Sequence, residues 1–280
     1  MGIVAAGVAP HPPIIIPEVG RGEQRKAIKT IEAMEVFAGR LAEFRSETVI
    51  FITPHGPMFR DAPAILSEPY LQGDFADFLA PGVRLRAEND LELIRNIEEE
   101  GRKAGIPVAL LGKGGTVETH RAFRLDHGVT VPLYYLQRAG AGSRCAAITY
   151  ALLSYRELYK FGQAIRQAAQ SLSRRVVVVA SSDLSHRLSV NSQAGYNPRG
   201  EEFDRLLVSY LQNCQVEKIL TMEPELIHAA GECGLRSICV LLGCLDGDEV
   251  KPEVLSYEGP FGVGYAVALL TPQATNQCGE

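Results

Sequence analysis

Three of the six histidines in this 280-residue chain follow apolar runs that have the composition of buried strands. His11 comes after "IVAAGVAP", His55 after "TVIFITP" and His186 after "VVVVASSDLS". Ligands of open α/β sheets bind beyond the carboxyl ends of the strands, so three such histidines could converge on one point. Neutral imidazole is the commonest metal ligand and can also transfer protons near neutral pH. The sequence therefore predicts a metal or acid–base site at one edge of a sheet.

The prolines around His11 and His55 favour a shared site for these two residues. Each histidine follows a proline that ends an apolar run, and a second proline comes close behind, in "APHPPIIIP" and "TPHGP". Proline cannot donate to a sheet ladder and restricts the backbone, so it ends the strand and limits the orientation of the ring. The alternative is that each ring is an ordinary hydrogen-bonded loop residue. His120, in "VETHRAF", lacks this context and is predicted to lie at the surface.

The stretch "SSDLSHRLS", residues 181–189, carries a second candidate for proton transfer. One interpretation is a simple turn, because Ser and Asp favour turns. The other is that His186 acts as an acid or base and is oriented by Asp183. A serine hydrolase is disfavoured, because the chain has no GxSxG motif. His127, in "RLDHGVTVPL", is predicted to lie at the start of a helix.

Two glycines in "AAGECGLRSI", residues 229–238, predict that one helix ends and a new one begins. This places Glu232 and Cys233 near the N-terminus of the new helix, where the helix dipole favours an anion and lowers the pKa of a thiol. Glu232 is then either a capping acid or the carboxylate that completes a two-histidine, one-carboxylate metal face. The glycine-rich stretches "GKGGT" and "EGPFGVGY" match no nucleotide-binding fingerprint.

Composition and charge exclude several classes of function. A net charge of −5 and an isoelectric point of about 5.8 disfavour a nucleic-acid partner or an anionic membrane surface. The N-terminus lacks a basic leader region, and no run approaches the roughly 20 apolar residues of a membrane span, so a cytoplasmic protein without membrane association is predicted. The six cysteines include no CxxC pair and are predicted to be free thiols.

Alternating apolar and amphipathic segments supply the elements that must position these residues. Strands are predicted at 3–9, 48–53, 63–67, 108–111, 145–152, 176–181 and 264–270. Helices are predicted at 22–44, 90–104, 155–173, 200–213 and 234–246, with Asn89 and Ser154 as N-caps. This order predicts a single α/β domain over 1–271, with a mostly parallel or mixed sheet, helices on both faces and a polar tail at 272–280.

Five motifs taken in order, "APHPPIIIPEVG", "TPHGP", "LDHGVTVPL", "SSDLSHRL" and "AAGECGLRSI", resemble the class III extradiol dioxygenase superfamily. This is the family of the catalytic subunit of protocatechuate ring-cleaving enzymes. Within it the chain is most similar to the extradiol-type domain of AmmeMemoRadiSam systems, which is often fused to an AMMECR-type domain. The motifs extend from residue 9 to about residue 240. The resemblance implies a single α/β domain that opens a catechol-like ring with O₂.

The resemblance also implies a set of site residues. It implies a non-haem Fe(II) held by His11, His55 and Glu232. It implies that His186 takes a proton from the substrate and that His127 is a second active-site histidine. Asp183 is the candidate for orienting the His186 ring.

Two other functions remain open at the level of sequence. The related Memo proteins have a cysteine at the place of Cys233, which implies a metal-binding or redox module that serves a radical-SAM system and binds copper or zinc. A zinc hydrolase that uses the same histidines is the other alternative. For assembly, the alternatives are a homo-oligomer or association with an AMMECR-type or radical-SAM partner.

Overall fold

The computed structural model describes residues 2–112, 115–117, 123–192 and 194–273. His120 and most of the predicted tail lie outside these residues. The strands are β1 (Ile3–Ala9), β2 (Thr48–Thr53), β3 (Ala64–Leu66), β4 (Tyr70–Phe75), β5 (Ala80–Asn89), β6 (Ala109–Leu111), β7 (Arg144–Thr149), β8 (Val176–Ser181), β9 (Val250–Glu258) and β10 (Tyr265–Pro272). The helices are α1 (Pro17–Gly20), α2 (Ile28–Glu43), α3 (Leu91–Lys103), α4 (His127–Arg138), α5 (Tyr155–Ser171), α6 (Arg199–Gln212), α7 (Val216–Leu220), α8 (Pro224–Ala230) and α9 (Leu235–Cys244).

In the described part of the chain, the strands form one 10-stranded mixed sheet. Its order is β4-β5-β7-β2-β8-β1-β10-β9, and β3 pairs with both β7 and β6. The central strands β7, β2, β8 and β1 run parallel to one another, whereas β4 and the pair β9–β10 are antiparallel additions at the two ends. The predicted mixed sheet is confirmed. Because the central strands are parallel, their carboxyl ends meet at one edge of the sheet.

Two separate apolar cores lie on the two faces of this sheet. Alternate residues of β2 show the division, since Ile50 and Ile52 face one core and Val49 and Phe51 face the other. Helices α3, α5, α6 and α9 cover the first face, and α2 and α4 cover the second. The predicted helices on both faces are thus confirmed. Burial on both faces also explains why the central strands appear in the sequence as unbroken apolar runs.

The sequence missed the elements that keep one side toward solvent. Strand β4 alternates exposed and buried residues, β9 is half-buried or exposed along its length, and neither has the apolar run of a central strand. The five described cysteines are free thiols, as predicted. Among the described residues, none of the helices combines the length and apolar composition needed to cross a bilayer.

One of the two predicted helix caps is wrong. Helix α3 is capped by Asp90, whose carboxylate accepts a hydrogen bond from the Leu93 amide at 3.2 Å. Asn89 instead ends β5, and its side-chain amide donates to the carbonyl of Leu66 at 2.7 Å. Neighbouring Asn and Asp are both good caps, so only the tertiary contact of Asn89 decides between them. The predicted cap at Ser154 is confirmed as a capping box with Glu157.

Candidate functional site

Three histidines from different elements meet at the carboxyl edge of the parallel strands. His11 follows β1, His55 follows β2, and His127 is the first residue of α4. The Nε2 atoms of His11 and His55 lie 3.0 Å apart. The ring of His55 stacks on that of His127 with 4.0 Å between centroids, and the centroid of His11 lies 5.5 Å from that of His127. The structure therefore brings together the two histidines that the sequence proposed as metal ligands.

The third donor in this group is the thiol of Cys233. Its Sγ lies 3.6 Å from His11 Nε2, and the donor atoms of His11, His55 and Cys233 all lie within 4.8 Å of one another. Two nitrogens about 2.1 Å from one ion at a right angle lie about 3.0 Å apart, and a sulfur at about 2.3 Å in a tetrahedral arrangement lies about 3.6 Å from such a nitrogen. His11 Nε2 therefore lies at the separation of two ligands on one ion from both His55 Nε2 and Cys233 Sγ.

Glu232 is not in this donor group. Its Oε2 accepts a hydrogen bond from the Leu235 amide at 2.6 Å, at the start of α9. This is the capping geometry that the sequence left open as one of two alternatives. Glu232 as a metal ligand stays a prediction, and the geometry favours its neighbour Cys233.

Burial keeps the imidazoles of the cluster neutral. Desolvation and the neighbouring imidazoles lower the pKa of His11 well below its usual value and that of His55 to about 4. His11 Nδ1 lies 2.8 Å from Ser181 Oγ, which can accept the ring proton and leave the Nε2 lone pair toward the cluster. Desolvation raises the pKa of the Cys233 thiol, so the thiolate needs a nearby cation to form. Neutral imidazoles with inward lone pairs suit a metal ion.

His186 stands on a loop that several backbone contacts fix. Its Nδ1 lies 2.7 Å from the carbonyl of Gly231, and its amide donates to Ala230 at 3.1 Å. With the Nδ1 proton donated to Gly231, the Nε2 atom is free to accept a proton. Burial lowers the pKa of His186, so the ring is unprotonated at neutral pH.

Asp183 contacts His11 and not the His186 ring. Its Oδ1 accepts a hydrogen bond from the His11 amide at 2.9 Å, and its Oδ2 lies 3.7 Å from His11 Nε2. The sequence proposed that Asp183 orients His186, but a backbone carbonyl makes that contact instead. The difference arises because Asp183 lies two residues after the end of β8 and so beside the end of the neighbouring β1. A catalytic role for Asp183 stays a prediction.

Sequence reasoning missed Thr53 and Asp126, whose hydrogen bonds hold the histidines of the site in position. Thr53 Oγ1 accepts a hydrogen bond from the His55 amide at 3.2 Å and donates to Asp126 Oδ1 at 2.6 Å. Asp126 precedes His127, so this chain of contacts ties two histidines of the cluster to each other. The pair "DH" in "LDHG" was visible in the sequence, but its partner Thr53 is 73 residues away.

Asp204 of α6 is a second missed residue, and it is fully buried. Its Oδ1 accepts from the amide of Ser185 at 2.8 Å, and its Oδ2 accepts from Tyr257 Oη at 2.7 Å. Gly264 packs so closely against this carboxylate that a side chain there would overlap it. Because Ser185 precedes His186, Asp204 anchors the loop that carries the candidate base.

We expect the Asp204→Asn variant to lose less stability than wild type as pH rises. Burial raises the pKa of Asp204 from 3.8 to about 7, so folding favours its protonated form. The protonated carboxyl therefore adds to the free energy of unfolding below about pH 4, and this stabilisation is lost as pH rises toward 7. Asparagine stays neutral, can accept from Ser185 and can donate to Tyr257. At pH 8 the variant should therefore be more stable by on the order of 2 kcal/mol.

The measurement is the melting temperature of wild type and variant between pH 5 and pH 8. Asp246→Asn is the matched control, and its effect on stability should be opposite in sign. Hydrogen bonds from Tyr159 and Gln163 lower the pKa of Asp246 instead of raising it. An Asp204→Asn variant that is less stable than wild type at pH 8 would show that folding favours the charged carboxylate, so that burial does not raise its pKa.

Comparison with known proteins gives matches along nearly the whole chain. The family described as the catalytic LigB subunit of aromatic ring-opening dioxygenase matches residues 5–268. The Clostridium acetobutylicum protein CA_C1420 is 42% identical over 261 residues, which cover 93% of this chain and 56% of that protein. This chain therefore spans about half the length of that relative.

More distant relatives have names that state an activity. The 2-aminophenol 1,6-dioxygenase beta subunit of a Pseudomonas species is 22% identical over 299 residues, covering 95% of this chain and 92% of that protein. The 3,4-dihydroxyphenylacetate 2,3-dioxygenase of Escherichia coli is 26% identical over 179 residues, which cover 60% of this chain and 62% of that protein. The crystal structure of the uncharacterized protein JW3007 from Escherichia coli K12 shares the fold, with a TM-score of 0.62, 13% identity and coverage of 96% of this chain and 99% of that one.

Proposed function

Because this chain belongs to the LigB family of aromatic ring-opening dioxygenase subunits, we propose that it is a metal-dependent dioxygenase that opens a catechol-like ring with O₂. The observation that carries this proposal is the meeting of His11 and His55 at 3.0 Å, with His127 stacked against them. A cytoplasmic location is part of the proposal.

We propose non-haem Fe(II) as the metal, held by His11 and His55. The donor set fits an ion, since both imidazoles are neutral and their Nε2 atoms face each other. The third ligand is Glu232 by resemblance and Cys233 by geometry. When bound, the ion supplies positive charge that lowers the pKa of a coordinated phenol.

Within this proposal His186 is the residue that accepts a proton from the substrate. Gly231 fixes the ring through Nδ1, so Nε2 is the proton acceptor. Its lowered pKa keeps that atom unprotonated at the pH of the reaction. His127 is half-buried and stacked on His55, which places it as a wall of the same space.

The thiol of Cys233 favours a second candidate function, a metal-binding or redox module without ring opening. Thiolate is a soft ligand that selects zinc or copper, whereas two histidines and a carboxylate form the face of non-haem iron oxygenases. In this candidate the chain serves a radical-SAM system, with a radical-SAM or AMMECR-type protein as partner. The identity of the third ligand therefore separates the two candidates.

We expect the Cys233→Ala variant to bind Zn²⁺ about 10- to 100-fold more weakly than wild type. The loss is smaller than for a histidine ligand, because the thiol must first release a proton that burial makes harder to lose. The adjacent Glu232→Gln variant is the matched control and should change Zn²⁺ affinity by less than about threefold, since its carboxylate caps α9. Competition with a chromophoric chelator measures both affinities. The reverse order would assign Glu232 as the ligand.

The direct test of the proposed function is oxygen uptake. Protein reconstituted with Fe(II) without oxygen is mixed with O₂ and a panel of ortho-diphenols, and the ring-opened product is followed by its absorbance. Uptake with at least one diphenol supports the dioxygenase. Stable binding of zinc or copper with no uptake across the panel supports the redox module.

A further inference from the structure

A phenylalanine at the tip of the β4–β5 hairpin contacts the histidine cluster from outside the central sheet. Phe78 ends a short 3₁₀ turn, Ala76–Phe78, between the two strands. Its ring lies 5.5 Å from that of His127, with 71° between the ring planes. Phe78 is half-buried, whereas its neighbour Phe75 is fully buried in the core. Phe78 therefore packs in part on the protein and is in part exposed to solvent.

Local contacts hold this turn in one conformation. The amide of Ala76 donates to Asp74 Oδ1 at 3.0 Å, and the carbonyl of Leu79 accepts from the Arg21 guanidinium at 2.7 Å. Leu79 has a left-handed backbone, with φ of 61°, which ends the turn directly after Phe78. The Phe78 ring also packs against Phe75, with 6.5 Å between centroids.

The same hairpin is tied to the segment that carries His127. Arg124 forms an ion pair with Asp74, and the Leu125 amide donates to the carbonyl of Gln72 at 2.9 Å. His127 follows two residues after this second contact. The position of Phe78 relative to His127 is therefore fixed before any ligand arrives, which reduces the entropy lost when a ligand binds beside the two rings.

We propose that Phe78 is a specificity-determining residue, the aromatic wall that receives the ring of the substrate at the histidine cluster. This inference rests on the proposed function and adds a residue that selects planar aromatic ligands. Aromatic rings attract one another in edge-to-face and offset geometries beyond the area that they bury. The Phe78 ring contacts His127 and stays partly exposed, so it offers such a contact to an aromatic ligand at the cluster and none of equal strength to an aliphatic chelator.

The test compares two chelators on Zn²⁺-loaded protein, which needs neither turnover nor oxygen. The aromatic probe is 4-nitrocatechol, followed by absorbance, and the aliphatic probe is acetohydroxamate, followed by calorimetry. We expect Phe78→Leu to weaken 4-nitrocatechol binding about three- to tenfold, the range that corresponds to one aromatic pair. Acetohydroxamate binding should change by less than about twofold.

Two variants serve as controls. Phe78→Tyr keeps the ring and should bind 4-nitrocatechol like wild type. Leu79→Ala alters the adjacent side chain, which is 73% exposed, and should change neither affinity. If Phe78→Leu does not fold, as judged by its melting curve, Phe78→Met takes its place as a ringless variant that fills the same space.

Each outcome decides one of the two proposals. A wild-type protein that binds zinc but not 4-nitrocatechol would overturn the proposed function, and this inference with it. A wild type that binds the probe while the ringless variant binds it equally well would overturn the inference alone. An equal loss for both chelators would also overturn it, because the ring would then only support the metal site.

Discussion

We expect the His11→Ala variant to bind Zn²⁺ or Fe²⁺ at least about 100-fold more weakly than wild type. His11 is the central donor, with its Nε2 3.0 Å from His55 Nε2 and 3.6 Å from Cys233 Sγ. Structural zinc sites bind with about 10–16 kcal/mol over four ligands, so one ligand contributes roughly 3 kcal/mol, which is more than 100-fold. Metal content after dialysis and competition with a chelator measure the loss.

His228→Ala is the matched control for this prediction. His228 lies on α8 and is exposed, and its replacement should leave metal affinity unchanged. His11 is fully buried, so the melting temperature of the His11→Ala variant must be recorded to separate metal loss from unfolding. A folded His11→Ala variant with wild-type affinity would show that the metal, if bound, lies elsewhere.

The second large effect concerns His186. We expect His186→Gln to lower kcat for ring opening by about 100- to 10,000-fold, the usual contribution of a positioned general base. Metal affinity should stay within about threefold of wild type, because His186 is outside the donor group. In wild type the rate should depend on pH through this base. Since burial lowers the pKa of His186, the plateau should extend below pH 6.5, and the rate should fall only at more acidic pH as the ring gains a proton.

The measurement is the pH profile of kcat in wild type and variant, with 4-nitrocatechol binding as the control for an intact site. The variant should keep probe binding and lose the acidic limb of the profile. Full turnover with an unchanged profile in His186→Gln would assign the proton transfer to another group. His127 would then be the next residue to replace, since it shares the same space.

The two central histidines could be predicted because their signal is local. A buried strand followed by a proline fixes where His11 and His55 lie along the chain, and parallel strands bring their ends to one edge. The same reasoning gave His186 as a third candidate, whereas His127 was predicted as a site residue from the family resemblance. To predict where His11, His55 and His186 lie, only the strand before each of them must be recognised, and hydrophobic patterning is enough for that.

The third member of the donor group could not be predicted in the same way. Glu232 and Cys233 are adjacent, so the turn between α8 and α9 decides which side chain faces the histidines. Gly231 takes the left-handed conformation, with φ of 60°, and ends α8. In the resulting geometry the carboxylate of Glu232 reaches the Leu235 amide and Cys233 joins His11. If the turn between α8 and α9 were shifted by one residue, Glu232 and Cys233 would exchange these roles. The residue types alone do not determine that shift.

The sequence by itself determined the alternating α/β layers, the central strands and the three histidines after them, because burial on both faces and proline at strand ends leave direct patterns. Only the tertiary structure decided the partners: Gly231 for His186, Asp183 for His11, Thr53 and Asp126 behind His55, and Phe78 beside His127. Each of these pairs joins elements distant in the chain except Thr53 and His55. A hydrogen bond or ring contact requires tenths of an ångström and particular angles, which only packing of the whole domain fixes.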